Sequence, residues 1–297
     1  MTHVAFLGLG NMGGPMAGNL VKAGLTVTGF DLVPAALDAA KARGIVIAAS
    51  AAEAVAQADV VVTMLPSGKH VLGAVEGPDG LFAHARKGTL FIDSSTIDVA
   101  SARAFHAAAA TAGHESLDAP VSGGVVGAEA GTLTFMAGGT AEAFAKAQPL
   151  LAHMGRKVVH CGEAGAGQAA KICNNMILGI SMIAVSEAFV LAEKLGLSHQ
   201  ALFDVASTSS GQCWALTTNC PVPGPVPASP ANRDYKPGFA TALMLKDLRL
   251  SQEVAEQAGA ATTLGAKATE LYSTFEAEGN GGTDFSGIIN WVRSQEA

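Results

Sequence analysis

VAFLGLGNMGGPMAGNL, residues Val4 to Leu20, passes from an unbroken apolar run through a glycine-rich turn into a helical pattern. The run Val4–Gly10 reads as a strand, because continuous rather than alternating apolar residues suit a strand covered on both faces. Pro15–Ala23 reads as a helix. Between them Gly8-Leu9-Gly10-Asn11-Met12-Gly13 forms a GxGxxG. The first glycine permits the tight turn, the second lets backbone approach a pyrophosphate, and the third lets helix pack on strand. The helix N-terminus then faces the negative charge. A glycine-rich turn alone is a weak signal. Here a strand precedes it, a helix follows, and Asp31 closes the next strand, Leu25–Asp31, 18 residues after Gly13. A carboxylate there accepts hydrogen bonds from the adenosine ribose and repels a 2′-phosphate. Leu32 and Val33 follow it, with no arginine, so the pattern favours NAD over NADP. Gly8, Gly10, Asn11, Met12, Gly13 and Asp31 are the candidate cofactor residues.

Outward from this unit the strand–helix alternation continues. Pro34–Arg43 reads as helix, Ile45–Ile47 as a short strand, and Ser50–Glu53 as a capping box opening a third helix. Asp59–Pro66, Thr89–Ser95, Leu117–Ala119, Leu133–Ala137 and Val158–Cys161 read as strands, with a helix over Ala141–Leu151. Such alternation predicts crossovers and a parallel sheet. Ligands of doubly wound sheets sit at the carboxyl ends of the strands, which makes Leu65, Pro66 and Thr96 candidates to line the cofactor. After Gly165 the pattern changes. Ala166–Leu195 reads as one proline-free helix of roughly 45 Å, ended by Gly196. Ser198–Ser207, Thr241–Ala258 and Thr262–Gly279 also read as helices. The proline-rich stretch Asn219–Asn232 fits neither helix nor central strand and reads as a rigid loop or a lid. The expected fold is α/β: a Rossmann-type doubly wound sheet over 1–163, then an all-α domain over 164–297, joined by a long helix.

Of the 297 residues, 49% are hydrophobic and 14% charged, ample for a core. The net charge of −7 argues against nucleic acid, since no basic field would collect phosphates. Cys161, Cys173, Cys213 and Cys220 show no CxxC and no spacing with histidine that suits zinc, and no metal is expected. A reducing, cytoplasmic setting fits them. The opening residues lack the pattern of a signal peptide. No apolar run looks long and clean enough to span a bilayer, Met176–Ala192 coming nearest with Ser181, Ser186 and Glu187 inside it. His3, His70, His84, His106, His114, His153, His160 and His199 are scattered, and none is assigned to catalysis.

Four stretches carry a family resemblance: Gly8–Leu20, DAPVSGGVVGAEAGTLTFMAGG (Asp118–Gly139), GAGQAAKICNN (Gly165–Asn175) and GFATALMLKDL (Gly238–Leu248). In order and spacing they resemble the β-hydroxyacid dehydrogenases, over nearly the whole chain, and within them the branch acting on 3-hydroxyisobutyrate. The resemblance implies that Lys171 is the catalytic lysine. Asn175 lies four residues on, so both side chains leave one face of the long helix. Hydride transfer from an alcohol requires the hydroxyl to lose a proton. A lysine takes it only if its pKa falls from about 10.4 towards the working pH, and burial among alanine and glycine lowers it. The family's substrate-carboxylate loop corresponds to Ser122, Gly123 and Gly124, where a hydroxyl and exposed amides make an anion nest. Lys246 corresponds to a cofactor contact and Asp247 to an acid near the site. Trp214 and Phe239 are candidates for an apolar wall around a substrate methyl.

The implied reaction is NAD-dependent oxidation of a 3-hydroxy acid, 3-hydroxyisobutyrate giving methylmalonate semialdehyde, a step of valine breakdown. The family also suggests a homodimer or homotetramer. Two alternatives stay open. A related enzyme acting on L-serine or tartronate semialdehyde would have a more polar pocket. A non-catalytic NAD-binding sensor would have no use for the Lys171–Asn175 pair.

Overall fold

A computed structural model describes residues 2–295. The chain divides into two compact units, one running through Lys171 and the other starting at Ile172. The division falls inside a helix, several residues past the turn where the change of sequence pattern put it.

The first unit alternates strands and helices: β1 His3–Leu7, α1 Gly13–Lys22, β2 Thr26–Phe30, α2 Pro34–Ala42, β3 Val46–Ile47, α3 Ala51–Val55, β4 Val60–Thr63, α4 Gly68–Val75, α5 Leu81–His84, β5 Leu90–Asp93, α6 Val99–Ala112, β6 Glu115–Asp118, β7 Val121–Ser122, α7 Gly124–Ala130, β8 Leu133–Gly138, α8 Ala141–Leu151 and β9 Gly155–Gly162. The strands lie in the order β3-β2-β1-β4-β5-β6-β8-β7, with β9 paired on β8. From β3 to β6 every pairing is parallel. The last part departs from the parallel expectation: β6 and β7 follow one another along one edge of β8, both antiparallel to it, and β9 takes its other edge in parallel.

Side-chain alternation explains the apolar runs Val4–Leu7, Val60–Val62 and Leu90–Ile92. Val4 and Phe6 of β1, with Val60, Val62, Leu90, Ile92 and Leu117, pack on the face covered by Met16, Ala17 and Leu20 of α1 and by α8. Ala5, Leu7, Val61 and Phe91 point the other way, against Val71, Phe82, Ala102 and Phe105. A period of two with both faces covered favours apolar residues at successive positions, and the buried polar residues Thr63, Asp93 and Asp118 fall at strand ends. Strand order reverses at β1, so the loops after β1, β4 and β5 meet at one end of the sheet, the usual ligand position for such a topology. At α3 Ser50 Oγ accepts from Glu53 N as a capping box requires, while the Glu53 carboxylate accepts from Ala49 N at 2.6 Å, one residue before the cap.

The helix α9, Ala166–Lys194, begins in the first unit and continues into the second. The second unit is helical: α10 His199–Ala206, α11 Trp214–Thr217, α12 Thr241–Ala258, α13 Thr263–Phe275 and α14 Ile288–Ser294. Met182, Met244, Leu245, Leu248, Tyr272 and Phe285 form its centre. The helix expected over Thr262–Gly279 ends early, at Phe275. A wide turn follows over Glu276–Asn280, because Gly279 adopts φ 93°. The proline-rich stretch is an ordered loop. Asn232 accepts from Gly224 N and donates to Val226 O, and the Tyr235 hydroxyl donates to Pro221 O. By length and mean hydropathy (1.8) α9 is apolar enough to cross a membrane, so the sequence-based exclusion was too strict on those two measures. Its Met182, Ile183 and Phe189 are core residues.

Candidate active site

The loop after β1 has the geometry its glycines require. A Cβ on Gly13 would stand 1.9 Å from Gly8 O, so α1 touches the turn it follows. A Cβ on Gly10 would meet nothing within 4 Å, so that backbone faces open space. At the start of α1 Gly14 N donates to Gly10 O at 3.0 Å and Met16 N to Met12 O at 3.1 Å, and Pro15 has no N–H, so the Asn11–Gly13 turn is the part of the helix start that can meet an anion. Asn11 is exposed and Met12 half-buried at this turn. Asp31 is fixed over it: one oxygen accepts from Leu9 N at 2.6 Å and the other from Val33 N at 2.8 Å. Leu9, Gly10, Asn11 and Asp31 line a cleft of about 420 Å³ that runs along α2. An open glycine loop at a helix start and a fixed carboxylate in one cleft suit the phosphates and ribose of a dinucleotide.

The sequence reading missed one pair in this cleft. Arg43, one residue past α2, reaches it and is held by Glu129 of α7 through two bonds of 2.9 and 2.7 Å. The hydrogen bond to Glu129 raises the Arg43 pKa, and the same bond lowers that of Glu129. The cation is therefore engaged by a carboxylate of its own chain.

The loops after β4 and β5 share a buried support. Asp93, the last residue of β5, is fully buried, and one of its oxygens accepts from Thr63 Oγ1 at 2.7 Å, Ser95 Oγ at 2.6 Å and Ser95 N at 3.2 Å. Ser95 Oγ in turn accepts from Leu65 N at 2.8 Å. Leu65 and Thr96 are half-buried and Pro66 is exposed beside them. Burial pushes the Asp93 carboxyl up to about 6, against the pull of the Ser95 and Thr63 bonds and with a smaller push from the charge of Asp118. None of this support was legible as a motif.

The stretch before Lys171 is explained by crowding. A Cβ on Gly167 would lie 2.2 Å from Met136 O and 2.7 Å from Asp118 O, so only glycine lets the first turn of α9 rest on the ends of β6 and β8. Asp118, fully buried, caps that turn by accepting from Gly165 N at 2.8 Å and Gln168 N at 2.9 Å. His106 Nε2 shares the Asp118 carboxylate at 2.9 Å. Lys171 follows one turn later and is 7% exposed, so it is a buried lysine and not a surface one. Ser122 ends β7 and is half-buried. Gly123 and Gly124 follow it at φ 136° and 62° and open α7.

In the second unit Asn175 is 2% exposed and donates to Asp247 of α12, itself 5% exposed. Lys246, beside it, is half-buried. Phe239 packs edge-on against Phe285 at 5.7 Å, whereas Trp214 is 52% exposed at the start of α11. The two aromatics thus occupy different environments. The backbone at Phe239 is held by Asp284, a buried residue that the sequence reading did not single out. Asp284 accepts from Gly238 N and Phe239 N, and from Asn219 at the start of the proline-rich loop.

Comparison with known proteins places the chain in a family. Residues 3–162 match the family model described as the NAD binding domain of 6-phosphogluconate dehydrogenase. Residues 165–292 match the one described as NAD-binding of NADP-dependent 3-hydroxyisobutyrate dehydrogenase. A probable 3-hydroxyisobutyrate dehydrogenase of Mycobacterium tuberculosis is 56% identical over 295 residues, covering 99% of both chains. The NAD-dependent L-serine dehydrogenase of Pseudomonas aeruginosa is 49% identical over 286 residues, covering 96% of each. The solved structure of M. tuberculosis 3-hydroxyisobutyrate dehydrogenase with L-serine superposes with a TM-score of 0.94 at 56% identity, over 99% of both chains. Both halves of the chain match dehydrogenase domains, and the agreement with the mycobacterial enzyme runs from end to end, so the chain belongs to the 3-hydroxyisobutyrate dehydrogenase family of NAD-dependent oxidoreductases.

Proposed function

We propose that this enzyme oxidises 3-hydroxyisobutyrate to methylmalonate semialdehyde with NAD, as a step in valine breakdown, and that Lys171 moves the proton. The observation that carries the reading is a lysine 7% exposed on a helix whose first turn is bolted to the sheet end, in a chain with an intact dinucleotide loop. Gly8, Gly10, Asn11, Met12 and Gly13 hold the pyrophosphate, and Asp31 accepts from the adenosine ribose. Leu65, Pro66, Thr96 and Lys246 line the rest of the cofactor. NAD held there would supply the hydride acceptor for the alcohol carbon. Lys171, as the neutral amine, takes the hydroxyl proton as the C–H bond breaks and becomes the ammonium. Asn175 orients the hydroxyl, and Asp247 fixes the Asn175 amide. Ser122, Gly123 and Gly124 hold the substrate carboxylate. Phe239, with Trp214, bounds the methyl group.

The second reading is L-serine as substrate, favoured by the P. aeruginosa relative and by the serine in the mycobacterial structure. Initial rates of NAD and NADP reduction with 3-hydroxyisobutyrate, L-serine, D-glycerate and 3-hydroxypropionate separate the two. The highest kcat/KM is expected for 3-hydroxyisobutyrate with NAD. A preference for serine replaces the substrate and keeps the mechanism. Lys171→Ala is expected to lower kcat by about 10²–10⁴, the usual worth of a general acid–base group. An alanine variant that still binds NAD and turns over like the parent would remove Lys171 from the chemistry. The sensor alternative requires no turnover with any of these acids. The four free cysteines fit a cytoplasmic setting, and exposed Ile177 and Leu191 on α9, with Leu195 just past its end, fit burial in a homodimer or homotetramer.

A further inference from the structure

We propose that Gln168 is a positioning residue that ties the proton-transfer lysine to the cofactor loop, so that the two keep one spacing. The inference rests on the roles proposed above for Lys171 and Thr96. Gln168 is fully buried in the first turn of α9, one helical turn before Lys171. Its side-chain amide makes two bonds, and both go to the backbone on either side of Thr96. Nε2 donates to Ser95 O at 2.7 Å, and Oε1 accepts from Ile97 N at 3.1 Å. An amide that pairs with a carbonyl and an N–H flanking one residue acts like a neighbouring strand. It fixes that residue's backbone against both sliding and tilting. The Gln168 N–H is itself held by Asp118 at 2.9 Å, so the amide extends from a rigid base. Ser95 is held from its other side by Asp93. The chain of bonds Asp118–Gln168–Ser95–Asp93 therefore joins the ends of β6 and β5 through α9.

The consequence is mechanistic. Lys171 and the Ser95–Ile97 loop come from distant parts of the sequence, and hydride and proton leave the same substrate together. A misplacement of about 1 Å can cost on the order of a hundredfold in rate. No glutamine-specific chemistry is needed, only one donor and one acceptor at fixed spacing. Glutamic acid offers the same pair while protonated. Once ionised it has two acceptors and opposes the Ser95 carbonyl. Burial, together with the carboxylates of Asp93 and Asp118 on the neighbouring strands, raises the pKa of an acid placed there towards neutral.

The test compares kcat of Gln168→Glu and Gln168→Leu with the parent across pH 6–10, with stability followed by thermal melting. For Gln168→Glu the ratio of kcat to the parent value is expected to stay near one at pH 6 and to fall by about tenfold to a hundredfold by pH 9–10. For Gln168→Leu it is expected to be low by a similar factor at every pH. Parent-like kcat in both variants, even with lowered melting temperatures, would show a purely structural role and overturn the inference. A pH-independent ratio for Gln168→Glu would do the same. If Gln168→Leu does not fold, the glutamate variant carries the test alone, because its neutral form makes both bonds. Lys171→Ala run alongside keeps the two ideas apart. Its loss of turnover, with parent-like Gln168 variants, would sink the positioning role and leave the lysine's role standing.

Discussion

Asp93 sits where an ordinary acid would be a liability. It is fully buried at the end of β5, with one oxygen taking three hydrogen bonds and the other, among the described residues, taking none. Burial lifts its carboxyl from the ordinary 3.8 to about 6, the bonds from Ser95 and Thr63 holding it from rising further. The sign of the stability effect follows. The folded protein holds this proton more tightly than the unfolded chain does. The contribution is therefore present in full below about pH 3.8 and is lost as pH rises through about 6. A shift of roughly two pH units corresponds to about 3 kcal/mol, of which about 2 kcal/mol is lost between pH 4.5 and 7.5. Asp93→Asn removes the titration. The amide oxygen takes over the three bonds, while the new N–H₂ lands where the carboxyl oxygen has no partner. That costs about 1–3 kcal/mol at any pH.

The replacement is thus expected to destabilise the protein at pH 4.5 and to become neutral or stabilising at pH 7.5. The measurement is urea unfolding of parent and variant at pH 4.5, 6.0 and 7.5, taken as a difference so that the other carboxylates cancel. The difference should move by about 2 kcal/mol in favour of the variant across that range. A constant difference would mean that Asp93 titrates as an ordinary acid, and the reasoning about its burial would fail.

Three further changes probe the dinucleotide loop and the Asn175 contact. Gly13→Ala places a methyl 1.9 Å from Gly8 O and 3.0 Å from Phe6, so backbone must move. The expected result is a loss of about 1–3 kcal/mol in stability and at least tenfold weaker NADH binding, read by urea unfolding and NADH fluorescence; unchanged values for both would refute the packing argument. Asp31→Ala leaves Leu9 N and Val33 N without their acceptor and removes the charge that repels a 2′-phosphate. The ratio of kcat/KM for NAD over NADP should fall by about 10-fold or more, since a hydrogen bond to a charged group is worth about 1.5–3 kcal/mol; an unchanged ratio would take selectivity away from Asp31. Asp247→Ala should cost about 1–3 kcal/mol by stranding the buried Asn175 amide. Adding Asn175→Ala should then cost less than its effect in the parent, whereas strict additivity would mean the pair is uncoupled.

What was legible in the sequence, and what was not, divides along a physical line. Continuous apolar runs, the spacing from Gly13 to Asp31 and the serine cap at Ser50 are local patterns, and each appears in the fold at the expected place. The antiparallel pairing of β6 and β7 with β8 was not legible, because β6 and β7 are only four and two residues long and the strand that pairs with both follows only after α7. The supports of the site were hidden for a related reason. Asp93, Asp118, Gln168 and Asp284 are single polar residues, and a polar residue at a strand end or in a helix's first turn usually signals solvent. Only their partners, 30 to 71 positions away for Thr63–Asp93, Asn219–Asp284 and Ile97–Gln168, show that each is buried and bonded. Such groups are costly to strand, since most of their bonds are to backbone groups and hydroxyls, with the His106 ring on Asp118 and the Asn219 amide on Asp284 as further side-chain partners. In this enzyme the groups proposed for the chemistry announce themselves by motif, while the groups that hold the loops and helix in place are readable only from the hydrogen bonds they close.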